Sequence, residues 1–167
     1  MKARAVSLAC ALLAAPALAQ TGPCAEYDKL RAYGEKHFAQ IKGPPLLQGM
    51  NERIATFKLP GADECVVDPA EPKLSRYSCK WFIAQGESEG RVEAAKAYEG
   101  VVKGLVGCSS DPASLHRWKT RTEKSAVLFP FAGQKANQMR VFEVTYRYAK
   151  HWWHVELEYE VNDAYSR

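Results

Sequence analysis

A chain of 167 residues with 47% hydrophobic, 25% charged and 11% aromatic residues has room for one packed domain and enough apolar surface to build its core. That composition excludes disorder, collagen-like repeats and a low-complexity scaffold. The formal net charge of +4 is too small for a nucleic-acid-binding domain, which shows a strongly basic surface.

The first predicted element is an address rather than part of the fold. Lys2 and Arg4 precede an apolar run from Ala5 to Ala15, Pro16 breaks it, and Ala17-Leu18-Ala19 offers the small residues that signal peptidase accepts. The run is too short for the roughly 20 apolar residues that span a bilayer. Residues 1–19 are expected to be a cleaved secretory signal, and residues 20–167 a single exported domain, periplasmic or secreted, with no transmembrane segment. Loss of Lys2 and Arg4 leaves 21 basic against 19 acidic residues, so the net charge falls from +4 to +2. Ser7 stands where a lipoprotein site before Cys10 needs a branched apolar residue, so lipidation is not expected.

Removal of Cys10 leaves Cys24, Cys65, Cys79 and Cys108. An even number of cysteines in an oxidising compartment predicts two disulfides. No Cys-x-x-Cys pair is present, which argues against a zinc ribbon or a thioredoxin-type redox centre.

In the mature chain a helix is predicted to open at Thr21-Gly22-Pro23 and run to about Lys42, with Tyr27, Leu30, Gly34, Phe38 and Ile41 along one side. Gly43-Pro44-Pro45 ends it. A short strand follows near Arg53 to Leu59, and Pro60-Gly61 turns the chain into a hairpin of Glu64 to Asp68 against Arg76 to Ile83. Pairing Asp68 with Arg76 puts Cys65 opposite Cys79, which favours that bridge and leaves Cys24 for Cys108. The main rival connectivity joins Cys24 to Cys65 and Cys79 to Cys108.

From about Ser88 to Gly107 the apolar period lengthens, with Val92, Ala95, Tyr98, Val102 and Leu105 on one face of an amphipathic helix. Gly86-Glu87-Ser88-Glu89-Gly90 before it is taken as a capped helix entrance. Strands are predicted near Leu115 to Arg121, Ser125 to Phe131, Met139 to Tyr148 and His151 to Val161. A two-residue turn at Ala149-Lys150 pairs Tyr146 with Trp153, Val144 with Val155 and Phe142 with Leu157, so the last hairpin has one apolar face. Trp153 then fills the core and Trp152 points outward, opposite Arg147, where a cation–π pair is expected in preference to a ligand-stacking platform.

Helix, strands, helix, strands is the order of an α+β domain: an antiparallel sheet of about five to seven strands with two helices on one face and two disulfides. A closed β-barrel with peripheral helices is the alternative.

The candidate functional residues are those left on the outside. Trp152, Arg147 and Phe82 form an aromatic and cationic set suited to anchoring a partner. Arg117, Trp118, Lys119 and Arg121 form a basic ridge, and Arg117, Lys119 and Arg121 are expected to face the carboxylate ladder of Glu156, Glu158 and Glu160. His151 and His154 point to opposite faces of a strand and cannot share an ion, so no metal site is predicted, and no cofactor is implied. No nucleophile elbow is expected, and the zinc-protease His-Glu-x-x-His, the phosphate loop and the dinucleotide fingerprint are missing. These features favour a non-enzymatic module that binds a protein partner or an anionic envelope component, of inhibitor, immunity or accessory type. A carrier of a small apolar ligand and a small hydrolase of unfamiliar design are the lesser alternatives.

Overall fold

A computed structural model of the chain describes residues 24–71, 73–86, 88, 90–119, 124–128 and 138–164, with only the backbone of Ala70, Trp118, Lys119 and Lys124. The expected signal segment lies outside these residues. The elements are helix α1 (Ala25–Gly34), strands β1 (Lys42–Pro45), β2 (Arg53–Ala55), β3 (Glu64–Glu71) and β4 (Leu74–Gln85), helix α2 (Gly90–Gly107), and strands β5 (Leu115–Lys119), β6 (Lys124–Leu128), β7 (Met139–Ala149) and β8 (Trp152–Asn162). The fold is α+β: among the described residues eight antiparallel strands form one sheet, ordered β1-β2-β3-β4-β8-β7-β6-β5, with two α-helices.

Eight strands exceed the five to seven expected, and the additional one is β1. Gly43-Pro44-Pro45 does end the helical region, but it goes on to pair with β2. Proline lacks an amide hydrogen, so it is tolerated only where no further strand must be bonded, and β1 is the outermost strand.

Helix α1 stops at Gly34, eight residues before the predicted end at Lys42. His37 and Phe38 take the left-handed conformation, with φ of 49° and 58°, and a short 3-10 turn Ala39–Ile41 follows. Packing overrides propensity here. The left-handed step delivers Phe38 into the core, with its ring 5.8 Å from Tyr77 and 5.6 Å from Tyr159. Gly34 is required at the same place, since a Cβ there would lie 2.5 Å from a ring carbon of Tyr159.

The hairpin of β3 and β4 has the predicted register, with Asp68 opposite Arg76 and Cys65 opposite Cys79. Cys65 is bonded to Cys79, and Cys24 to Cys108, which ties the start of α1 to the residue after α2. The rival connectivity is thereby excluded.

Helix α2 buries Gly90, Ala94, Tyr98, Val102 and Leu105 against β4, β7 and β8. Val92, predicted to face inward, is 75% exposed. The first turn instead presses Gly90 onto the sheet, where a Cβ would meet Trp153 at 2.7 Å and Ala84 at 2.8 Å. Tyr146 packs on Tyr98 of α2, and Tyr159 lies under Gly34 of α1. Both helices therefore cover the same face of the sheet. No helix among the described residues is long and apolar enough to cross a membrane.

The last hairpin keeps the predicted parity but not the predicted partners. Tyr146 pairs with Val155, Val144 with Leu157 and Phe142 with Tyr159, two residues along from the expected pairs. The turn is Lys150-His151, both at positive φ (52° and 69°), the pattern that matches strand twist in a two-residue hairpin. Trp153 is buried at 3% exposure and Trp152 is 37% exposed, as expected, because a slip of two leaves every side chain on its face.

Candidate functional site

The face of the sheet opposite the helices carries the polar residues of the central strands. On β8 these are His154, Glu156, Glu158 and Glu160, on β7 Glu143, Thr145 and Arg147, and on β4 Ser78, Lys80 and Phe82. Near its end β4 bulges: Phe82 pairs with His154, Ile83 is passed over, and Ala84 pairs with Trp153. A bulge adds a residue to one strand and swings what lies on either side of it. It turns Ala84 inward beneath Gly90 while keeping Phe82 outward beside Trp152.

Phe82 and Trp152 meet edge to face, with centroids 6.3 Å apart and planes at 69°. Phe82 is 44% exposed. Its ring also lies 6.4 Å from the imidazole of His154, which is buried at 7% exposure. Arg147 is opposite His154, not opposite Trp152 as predicted, because the turn is two residues further along. Its Nε donates to His154 Nε2 at 3.1 Å and its Nη2 to Glu156 Oε2 at 3.0 Å. The expected cation–π pair is thus replaced by a charge-assisted chain, and the ring neighbour of Trp152 is Phe82. Burial holds the His154 pKa below its ordinary value, and the adjacent positive charge of Arg147 lowers it further. A neutral imidazole that accepts at Nε2 carries its proton on Nδ1.

These side chains border a half-open cleft of about 380 Å³ lined by Lys80, Phe82, Arg147, Lys150, Trp152 and His154, with Glu64 and Ala149 completing it. Lys80 Nζ stands 3.6 Å from Glu156 Oε1. Further along the face a smaller cleft of about 250 Å³ is bordered by Glu143, Thr145, Arg147, Glu156 and Glu158. Glu143 and Glu158 stand directly opposite each other across β7 and β8. Burial raises the Glu158 pKa, with Glu160, Glu156 and Glu143 adding to the rise against the pull of Arg76.

Arg117 of the basic ridge is not a mate of the carboxylate ladder. Strand β5 is separated from β8 by β6 and β7. Arg117 bonds Glu99 of α2 at 2.8 Å on the helix-covered side, while Glu156, Glu158 and Glu160 are met by Lys80, Arg147 and Arg76. Trp118 and Lys119 stand on β5, with their side chains outside the described residues, as is Arg121 altogether. The structure therefore brings together Phe82, Arg147 and Trp152 and leaves Arg117 elsewhere.

Two features escaped sequence reasoning. Arg140, on an inward position of β7, is 4% exposed and pairs with Asp163 at 2.7 Å, and Asp163 meets His37 at 2.9 Å. An arginine in step with Phe142, Val144 and Tyr146 was the signal. Burial would raise the Asp163 pKa, but its bonds to Arg140 and His37 overcome that and hold it low. This cluster braces the far end of β8 against α1.

The second feature is that Gly86-Glu87-Ser88-Glu89-Gly90 fits the Gly-x-Ser-x-Gly pattern of a nucleophile elbow and lies between a strand and a helix. An elbow holds its serine in a strained backbone next to a histidine base. In this turn Gly86 takes a positive φ of 85°. The Ser88 hydroxyl bonds no histidine among the described residues. Glu87 and Glu89 lie outside the described residues.

Inward aromatics pack on one another, with Phe142 stacked on Tyr159 at 4.1 Å and Tyr146 on Trp153 at 5.4 Å. No group of three or more His, Cys, Asp or Glu side chains among the described residues is placed to hold a metal ion. Comparison of the chain with protein-family models, with curated proteins and with solved structures finds no match.

Proposed function

We propose that this chain is an exported, disulfide-braced, non-enzymatic module that recognises a protein partner through the open face of its sheet, as an inhibitor, immunity factor or assembly accessory of the cell envelope. The supporting observation is the adjacent pair Phe82 and Trp152, both large, partly exposed and set beside a cleft on the face opposite the two described helices. Aromatic side chains clustered in this way supply most of the affinity at protein interfaces. Two bridges and an eight-stranded sheet hold them in place, so little conformational freedom is lost when a partner docks.

The close ring packing of the interior favours this function over a carrier of a small apolar ligand. Against a serine hydrolase stands the lack of a histidine partner for Ser88 among the described residues.

The test is capture from envelope extract by the mature, oxidised protein, compared with a Phe82→Ala/Trp152→Ala double variant and a Val92→Ala control on the exposed side of α2. A protein held by wild type and control but lost by the double variant is the expected result. Capture that survives the double substitution, or no specific capture at low salt, would overturn the proposal.

A further inference from the structure

We infer that the cleft beside Phe82 and Trp152 takes an acidic segment of the partner protein, an apolar side chain resting on the two rings and a neighbouring carboxylate held by Arg147 and Lys150. The inference rests on the docking face proposed above and adds the chemistry of what docks there.

Three cations, Lys80, Arg147 and Lys150, line the cleft against one acid, Glu64. Arg147 is already gripped at two points, by His154 and by Glu156, which fixes the plane of its guanidinium. Its Nη1 makes no hydrogen bond among the described residues, so a pre-oriented donor remains for an incoming carboxylate. Lys150 forms no ion pair among the described residues and is carried on a tight turn between two paired strands. His154, neutral and buried, adds no charge and spends its Nε2 on Arg147.

The occupant is a discrete carboxylate on a protein and not a polyanion. Beyond Arg147 the same face turns acidic, with Glu143 and Glu158 opposed across β7 and β8 and Glu156 beside them. A polymer carrying a charge on every unit would be repelled as it ran along the strands, whereas an isolated acid reaches only the turn end. A cleft of about 380 Å³, open on one side, suits a large side chain that remains attached to a larger body.

The probe is an end-blocked tetrapeptide of alternating phenylalanine and aspartate, titrated into the mature, oxidised protein and followed by nuclear magnetic resonance. Two counterparts replace aspartate by lysine or phenylalanine by glycine. The expected result is movement of the Trp152 indole N–H and the backbone amides of Phe82 and Lys150, with the acidic aromatic peptide bound about tenfold more tightly than the lysine one, from two exposed charge contacts. Lys150→Asn, which keeps a residue suited to positive φ, should weaken that peptide several-fold with the fold unchanged. Equal binding of the lysine peptide, or an acidic peptide that moves none of these signals, would overturn the inference. Should the captured partner of the preceding experiment still depend on Phe82 and Trp152, the docking face stands and only its acidic selectivity falls.

Discussion

Arg147 Nε lies 3.1 Å from His154 Nε2 and donates to it, which makes the imidazole an acceptor and fixes its proton on Nδ1. Two cationic groups cannot share that contact. If His154 took a second proton, Nε2 would become a donor facing a donor, under a ring of Phe82 and largely out of water.

Acid should therefore weaken the fold through this residue. The folded pKa of His154 is depressed, whereas the unfolded one is near 6.5. Between those two values the unfolded chain binds more protons than the native one, so stability is present above about pH 6.5 and is lost as pH falls through the folded pKa. Thermal unfolding from pH 7.5 to pH 5 should show a steeper fall for wild type than for His154→Gln, whose amide still accepts from Arg147. Parallel curves would remove His154 from the account.

The adjacent tryptophans divide the two faces of β8. Trp153→Ala should cost about 3–5 kcal/mol and Leu157→Ala about 2–5 kcal/mol, as for buried side chains of their size. Trp152→Ala should stay within about 1 kcal/mol, because that ring is partly in water and its main ring contact is Phe82. Denaturant midpoints for the three variants decide it, and equal shifts for the two tryptophans would refute the assignment of faces.

The β7–β8 turn contains two side chains in a conformation that favours glycine and asparagine. Replacing Lys150-His151 by asparagine and glycine should raise stability by about 0.5–1 kcal/mol. A turn at Ala149-Lys150 would instead make the substitution neutral or harmful, so the melting temperature reports the register.

The two bridges should differ in worth. The chain-entropy relation assigns about 4.6 kcal/mol to the loop closed by Cys24 and Cys108 and about 3 kcal/mol to that closed by Cys65 and Cys79. Serine pairs at each site, compared by urea unfolding, should rank in that order. The opposite ranking would mean that the small bridge acts mainly through the native sheet.

The parts of this fold that could be read in advance are those in which one pattern has one solution. Asp68 opposite Arg76 brings Cys65 to Cys79, and strict alternation separates Trp152 from Trp153. The hairpin partners were harder, since slips of two residues share a hydrophobic pattern and only the backbone of Lys150 and His151 distinguishes them. The early end of α1 depends on where Tyr77 and Tyr159 accept Phe38, a long-range contact without local signature. For the candidate site, Phe82, Arg147 and Trp152 were identifiable as outward residues. Their convergence with His154 was not, because it depends on the bulge at Ile83 and the true turn. The placing of Arg117 against Glu99 is likewise a matter of strand order, which periodicity does not encode.

Pro44 and Pro45 occupy the outermost strand. Two successive positions without an amide hydrogen leave an approaching chain nothing to accept from there, so the border they form is a poor template for fibril growth. A protein held at high concentration would gain shelf life from that blunt margin, which lies at the opposite border of the sheet from β5.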